Sequence, residues 1–157
     1  MIVAITGHQR WPAAADAHIR AGITAQLAAA TRPLVGATSL AAGADQLFAR
    51  MVLEAGGTIH VVVPCARYEE AFADHAALVE YKRLLAQAAA TEQLAYAQPS
   101  EQAYAQAGFR VVELCDLLVA VWDGAPARGQ GGTGEVAAYA RQQGRQVAII
   151  WPDGVKR

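Results

Sequence analysis

The 157-residue sequence is poor in charge, in cysteine and in lysine, and each shortage excludes a class of function. Charged residues make up 17% of the chain and the formal net charge is −1, so no overall field draws it towards nucleic acid. The two cysteines, Cys65 and Cys115, lie far apart and outside the spacings of metal sites. No apolar run reaches the roughly 18 residues that span a bilayer. We therefore expect no metal and no membrane span, and the charge counts against a nucleic-acid partner.

Length and the first residues bear on domain count and compartment. A chain of this length is typical of one domain that buries about two-thirds of its unfolded surface. The sequence begins "MIVAITG", without a basic region or a cleavage site that would indicate export. Free thiols are typical of a reducing compartment. The sequence predicts a single cytoplasmic domain over residues 1–157.

Short apolar runs of strand type alternate with segments of helical periodicity. The runs are almost continuously hydrophobic, which is typical of strands covered on both faces of a parallel sheet. We predict a doubly wound α/β domain with a mainly parallel sheet flanked by helices. The predicted strands are 2–6, 37–40, 58–64, 117–122 and 146–151, with a further short strand at 91–96. The predicted helices are 12–30, 44–56, about 74–90, 101–115 and 134–143.

Three loops that follow predicted strands carry polar or glycine-rich segments. They read "TGHQRW" (6–11), "AAGADQ" (41–46) and "WDGAPARGQGGTGE" (122–135). In doubly wound sheets, ligands bind at the carboxyl ends of the strands, where the strand order reverses. We therefore predict that the three loops line one ligand site.

The glycine-rich loop has the features of a phosphate-binding segment. Thr133 or Gly134 is predicted to begin the last helix, so that free N–H groups and the positive dipole end face the sheet edge. The preceding glycines, Gly131 and Gly132, remove side chains that would keep a phosphate at a distance. A surface loop with merely permissive glycines is the alternative interpretation.

No cofactor is implied by this loop. Gly129, Gly131 and Gly134 match G-x-G-x-x-G, but "DGAPAR" separates them from the preceding strand, whereas a dinucleotide fingerprint follows its strand directly. No lysine follows the glycines, so the phosphate-cradling arrangement of ATP-hydrolysing proteins is missing too.

The other two loops offer further candidate ligand contacts. Gly43, Ala44 and Asp45 open a predicted helix, and Asp45 is either a plain helix-start residue or a ligand contact. In the first loop, an arginine such as Arg10 can bind a phosphate through two parallel hydrogen bonds. His8 bonds either a ligand or its own turn. The first-loop candidates are Thr6, Gly7, His8 and Arg10.

Taken together, "VAITGHQR", "SLAAGADQLFA", "CDLLVAVWDGAPARGQGGTGEVAAYAR" and "VAIIWP" resemble the SLOG superfamily. This superfamily groups the DprA/Smf proteins, the LOG phosphoribohydrolases and small stand-alone domains. The resemblance covers nearly the whole chain and implies a Rossmann-like fold that binds a nucleotide or a nucleotide-derived ligand. The ligand contacts that it implies are Gly7, His8, Arg10, Gly43, Ala44, Gly131, Gly132, Thr133 and Glu135.

The sequence also departs from the family's patterns. Related small proteins commonly have T-G-H-R in the first loop, whereas Gln9 stands here between His8 and Arg10. The LOG motif P-G-G-x-G-T-x-x-E is replaced by "QGGTGE", and "EYKR" (80–83) only loosely matches the segment that carries the LOG catalytic arginine. The LOG activity is therefore not transferred to this chain.

Three functions compete at this point. The first is a sensor or carrier that binds a nucleotide-type small molecule. The alternative is hydrolysis of the N-glycosidic bond of a nucleoside 5′-monophosphate, with Glu135 as the catalytic carboxylate and Asp123 binding a ribose hydroxyl. The third is single-stranded DNA binding by analogy with DprA, against which the scarcity of lysine counts. Tyr68, Tyr81, Tyr96 and Tyr104 either cover a base or line a subunit contact, and a homo-oligomer is expected.

Overall fold

The computed structural model describes residues 1–126 and 132–157, in which strands and helices alternate along the chain. The strands are β1 (Ile2–Gly7), β2 (Val35–Thr38), β3 (Thr58–Val63), β4 (Ala90–Gln93), β5 (Leu117–Val121) and β6 (Gln146–Ile150). The helices are α1 (Ala13–Ala29), α2 (Ala44–Glu54), α3 (His75–Leu85), α4 (Glu101–Leu114) and α5 (Thr133–Gln142). A 3₁₀ turn over Tyr68–Ala71 precedes α3.

All six strands pair in parallel in one sheet, in the order β4-β3-β2-β1-β5-β6. The chain builds outwards from β1 to β4 and then returns to place β5 on the other side of β1. The strand order thus reverses between β1 and β5, which is where such sheets bind ligands. The predicted doubly wound α/β fold is confirmed.

Helices cover both faces of the sheet and divide the core into two parts. Val3 and Ile5 of β1 lie in a core that also contains the buried side chains of α1 and α2. Ala4, between them, lies in a core formed with α4 and α5. Because successive side chains of a strand point to opposite faces, burial on both faces explains the unbroken apolar runs. In the described part of the chain, no helix is long and apolar enough to cross a membrane.

Several element boundaries differ from the prediction, and sheet pairing explains two of these differences. Strand β2 covers 35–38 instead of 37–40, because Val35 pairs with Ile2 and the chain turns after Thr38, with Leu40 at a φ of 56°. The predicted helix 74–90 ends at Leu85, because Ala90 pairs with His60 in the sheet and begins β4. The alanine-rich segment 86–90 favours a helix locally, but sheet pairing determines its structure.

Two glycines allow the first two loops to approach each other closely. A Cβ atom on Gly7 would lie 2.7 Å from the Cβ atom of Ala44 and 2.8 Å from that of Val121. Gly43 has a φ of 84°, and a Cβ atom there would overlap the backbone of Gln9. The Ala44 N–H group donates to the His8 carbonyl oxygen at 3.1 Å across this contact. The start of α2 is therefore fixed against the loop after β1.

We expect Gly43→Ala to destabilise the fold much more than Gly56→Ala. Both glycines have a positive φ, 84° and 82°, so both substitutions cost roughly 1 kcal/mol or more of backbone strain. Only at Gly43 does the added methyl group meet another backbone segment; the space around Gly56 is open. The additional loss at Gly43 should be at least about 2 kcal/mol of unfolding free energy, measured by urea denaturation. Equal losses would contradict the close loop contact.

Candidate functional site

A cavity of about 400 Å³ opens at the carboxyl ends of β1 and β5, where the strand order reverses. This volume lies within the range of small-molecule sites, which is roughly 300–1,000 Å³. The loop after β1, the loop after β2, the loop after β5 and the start of α5 all line the cavity. The polar and glycine residues in its wall include Thr6, Gly7, His8, Gln9, Ser39, Asp45, Gly132 and Thr133. The three predicted loops therefore meet at one cavity.

The start of α5 lies at this cavity, as expected of a phosphate-binding helix. The helix begins at Thr133, after Gly132 in an extended conformation, which confirms the predicted boundary. The first N–H groups of a helix have no acceptor within the helix, and the helix dipole makes this end positive. Gly134 lies against the indole of Trp122, where a Cβ atom would be 2.9 Å from the ring carbon Cζ2. Gly129 and Gly131 lie outside the described residues.

His8 is buried at the edge of the cavity and joins two charged residues. Its Nδ1 atom faces Nη1 of Arg157 at 2.8 Å, and its Nε2 atom accepts a hydrogen bond from the Asp123 backbone N–H group at 3.1 Å and lies 3.3 Å from Oδ1 of Asp123. Donors thus face both ring nitrogens, because neither a guanidinium group nor a backbone N–H group can accept a hydrogen bond. Burial, followed by the Arg157 charge, lowers the pKa of His8 and keeps the ring neutral.

Asp123 lies outside the cavity wall and anchors Arg157. Its Oδ1 atom accepts a hydrogen bond from the Ala125 N–H group at 3.0 Å, and its Oδ2 atom lies 3.7 Å from Nε of Arg157. Burial raises the pKa of Asp123, but the Ala125 N–H group and the neighbouring His8 and Arg157 side chains together hold it below its ordinary value. Asp123, a candidate for ribose binding in the sequence analysis, thus supports the guanidinium group of Arg157 beside the cavity.

Asp45 lines the cavity but uses its carboxylate to hold the loop after β2. Its Oδ2 atom accepts hydrogen bonds from the Thr38 hydroxyl at 3.1 Å and from the backbone N–H groups of Ser39 and Ala41 at 3.2 and 3.4 Å. Burial raises the pKa of Asp45 to about 6, against the lowering effect of these hydrogen bonds. The carboxylate therefore closes the turn that precedes α2, a role that neither alternative from the sequence included.

Several residues expected at the ligand lie elsewhere. Ala44 is fully buried and gives its N–H group to His8, and Gly43 lies in the wall of a separate groove. Arg10 is exposed and points to the same groove, while Gln9 takes the place in the cavity wall. Glu135 is exposed in the first turn of α5 and lies outside the cavity wall. A helix begins directly after Gly43 as expected, but its first N–H group, that of Ala44, donates to the His8 carbonyl oxygen.

The apolar wall of the cavity contains aromatic residues. Tyr68 is 5% exposed and contacts Phe72, Tyr81 and Tyr104 with ring centroids 5.2, 5.3 and 6.3 Å apart. Burial holds the pKa of Tyr68 well above its ordinary value, so the ring is neutral. Tyr68 and Tyr104 line the cavity together with Pro64. This position agrees with the interpretation in which these two tyrosines cover a base.

Sequence reasoning missed Arg157 and Trp122 at this site. Trp122 directly follows β5, and a side chain in that position of a parallel sheet lies at the ligand edge, so its place was detectable from the sequence. Arg157 is 149 positions from His8, and only tertiary folding brings the two together. Among residues 1–126 and 132–157, no group of three or more His, Cys, Asp or Glu side chains is placed to hold a metal ion.

Solved structures of other proteins share this architecture. DNA processing protein A (DprA) from Streptococcus pneumoniae matches 94% of this chain at 19% identity and a TM-score of 0.66, over 49% of its own chain. DprA from Helicobacter pylori matches 95% at 15% identity and a TM-score of 0.70, over 64% of its own chain. The protein TM1055 matches 93% at 14% identity and a TM-score of 0.58, over 71% of its own chain. No family model and no curated protein matches the sequence.

The shared feature is the fold. This chain spans about half of one DprA chain and less than two-thirds of the other. The Rossmann-like fold implied by the SLOG resemblance is therefore confirmed. The Helicobacter pylori structure is described as showing a single-stranded DNA binding mode.

We expect Asp45→Asn to change how stability depends on pH. The pKa of Asp45 is about 6 in the folded chain, above its ordinary value of 3.8, so its contribution to stability is complete below pH 3.8 and is lost as the pH rises through 6. The unfolding free energy of the wild type, relative to that of Asp45→Asn, should fall by up to about 3 kcal/mol between pH 4 and pH 7. Urea denaturation at each pH measures this difference.

Asp153→Asn is the matched control, because Asp153 is exposed and the substitution removes the same charge. Its difference from the wild type should stay nearly constant over this pH range. Parallel pH profiles of the wild type and Asp45→Asn would contradict the buried, destabilised carboxylate.

Proposed function

We propose that this protein binds a nucleotide or a nucleotide-derived ligand in the cavity between β1 and β5, as a sensor or carrier. The observation that carries the proposal is the meeting of three features in one cavity: the start of α5, the guanidinium group of Arg157 and an aromatic wall. The helix start and the guanidinium group suit the phosphate of a nucleotide, and the aromatic wall suits its base. The SLOG resemblance implies the same class of ligand.

The start of α5 offers a site for the phosphate. Gly132 and Thr133 line the cavity there, and the absence of a side chain on Gly132 lets an anion approach the backbone. Arg157 faces the same space, with a side chain that is 40% exposed. His8 takes one of its five N–H donors, at Nη1, and Asp123 holds its Nε end, so donors remain for a phosphate. His8 and Asp123 thereby orient Arg157.

The tyrosine wall offers a surface for the base. Tyr104 is 36% exposed, so part of its ring is accessible from the cavity, and Tyr68 supports it from behind. Pro64 and Val111 complete an apolar surface beside them. Aromatic rings stack on any nucleobase, because every base has a π-face, and such stacking contributes roughly 1–3 kcal/mol per base.

The hydrolase alternative receives less support from these positions. N-glycosidic hydrolysis needs a carboxylate at the sugar. Glu135 is exposed outside the cavity wall, and Asp123 is engaged with Ala125 and Arg157. Asp45 does line the cavity, but three donors surround its Oδ2 atom. A binding role therefore agrees better with the geometry than turnover does.

Single-stranded DNA binding is a second candidate. The observation in its favour is the fold shared with the Helicobacter pylori DprA structure, which is described by its single-stranded DNA binding mode. Under this function, an oligonucleotide binds with an affinity that falls steeply with salt. A nucleotide carrier instead binds mononucleotides to saturation.

We keep the expected homo-oligomer as a proposal, since Ile149 is 47% exposed on the edge strand β6.

We expect Arg157→Ala to weaken the binding of 5′-mononucleotides by about tenfold or more while leaving the binding of the corresponding nucleosides unchanged. The loss follows from removing a charge-assisted hydrogen bond to the phosphate, which a nucleoside does not have. Isothermal titration calorimetry with AMP, GMP, CMP, UMP and their nucleosides measures both affinities.

Arg141→Ala is the control. It removes the same charge from the exposed last turn of α5, at the end of the helix remote from the cavity. The proposed function fails if the wild type binds none of the nucleotides. The placement of the phosphate is refuted if Arg157→Ala weakens nucleotide and nucleoside binding equally.

A further inference from the structure

Two polar side chains in the cavity wall are almost fully buried, and each has one atom to which no described residue forms a hydrogen bond. In Asp45, which is 8% exposed, all hydrogen bonds from described residues go to Oδ2, so Oδ1 has none. In Tyr68, which is 5% exposed, the contacts with described residues are those of the aromatic ring, and the hydroxyl group has no hydrogen bond to them.

Both atoms have access to the cavity. In the described part of the chain, no buried side-chain nitrogen or oxygen is closed off from solvent without a hydrogen-bond partner. The Asp45 Oδ1 atom and the Tyr68 hydroxyl group therefore keep some access, and both side chains line the cavity. The two groups also interact, because the Asp45 charge, after burial, is the next cause that raises the pKa of Tyr68.

The two atoms offer opposite halves of a hydrogen bond. Burial raises the pKa of Asp45 to about 6, so the carboxyl group is mainly ionised at pH 7 and Oδ1 only accepts. The Tyr68 phenol is neutral, so its O–H group can donate. A ligand that fills the cavity removes water from both atoms, and leaving either atom unpaired would weaken binding. The ligand group that suits them both donates and accepts.

Among the parts of a nucleotide, the sugar hydroxyl groups have this property. An ionised phosphate only accepts hydrogen bonds, and a carboxylate repels it. The amino groups of a base only donate, and its carbonyl oxygens only accept. A sugar hydroxyl group donates and accepts through one oxygen atom.

The charges around the cavity agree with a sugar at Asp45. Arg157 and the start of α5 make one part of the wall positive. Among the described residues that line the cavity, Asp45 is the one acidic side chain. A nucleotide with its phosphate at Arg157 keeps its negative charge away from Asp45 and presents its neutral sugar there.

We propose that Asp45 and Tyr68 together bind one hydroxyl group of the ligand's sugar and select for ligands that carry it. The Oδ1 atom of Asp45 accepts from this hydroxyl group, and the Tyr68 O–H group donates to it. The hydrogen bonds at Oδ2 fix the carboxylate, so little freedom is lost when the ligand binds. This inference rests on the proposed function, because the cavity must hold the nucleotide.

The first part of the test varies the ligand. Isothermal titration calorimetry at pH 7 compares the most tightly bound of AMP, GMP, CMP and UMP with its 2′-deoxy, 2′-deoxy-2′-fluoro, 3′-deoxy and 3′-deoxy-3′-fluoro analogues. We expect both analogues at one of the two positions to bind about tenfold or more weakly. Fluorine has nearly the size of a hydroxyl group but no proton to donate, so its effect reports the bond to Asp45.

The second part of the test varies the protein. Tyr68→Phe should reduce the preference for the hydroxyl group over hydrogen by about threefold or more. In Asp45→Asn, the donors at Oδ2 require the amide oxygen, so the NH₂ group faces the cavity and most of the preference for hydroxyl over fluorine should disappear. A purely structural role would change the affinities for all analogues alike and leave these ratios unchanged.

Tyr81→Phe is the matched control for Tyr68→Phe. Tyr81 is buried and belongs to the same aromatic cluster, but it does not line the cavity, so its substitution should leave the preference unchanged. Melting temperatures close to that of the wild type show that each variant is folded.

Two kinds of result would overturn the inference, and they are distinguishable. If the wild type binds the ribonucleotide and all four analogues equally, or if its preference survives in either Tyr68→Phe or Asp45→Asn, this pair does not bind a sugar hydroxyl group and the proposed function stands. If the wild type binds none of the nucleotides, the proposed function fails and the inference fails with it.

Discussion

The backbone of His8 is the contact on which the rest of the site depends. Its N–H group donates to the Val121 carbonyl oxygen and its carbonyl oxygen accepts from the Ala44 N–H group, both at 3.1 Å. One residue thus ties the end of β1 to β5 on one side and to α2 on the other. Gly7 and Gly43 permit this approach, since a side chain at either would meet its neighbours. The cavity opens beside this junction.

The sheet and the meeting of the loops were predictable because both follow from local pattern. Unbroken apolar runs indicate strands buried on two faces, and parallel strands bring the loops at their carboxyl ends to one edge. The start of α5 at Thr133 followed from glycines before a helical segment. Strand β2 was misplaced by two residues because "ATSL" is apolar enough for a strand, whereas pairing of Val35 with Ile2 determines the register.

Side-chain positions within the site were harder to predict, because they depend on contacts that are remote in sequence. The insertion of Gln9 between His8 and Arg10 places Gln9 at the cavity and Arg10 in the wall of a separate groove. Arg157, which no motif marked, stands beside the cavity because His8 and Asp123 hold it there. Asp45 has the position of a ligand contact in the sequence, but the turn after β2 needs its carboxylate.

The net charge of −1 is a poor guide to the ligand of this protein, because it averages over surfaces of opposite sign. Of the 13 basic residues, only Lys82 and Lys156 are lysines, so the scarcity of lysine leaves the number of cations intact. At the cavity, His8 and Asp123 orient the guanidinium group of Arg157. A fixed arginine loses less entropy when it binds a phosphate. The local arrangement at the cavity therefore matters more for a phosphate ligand than the total charge does.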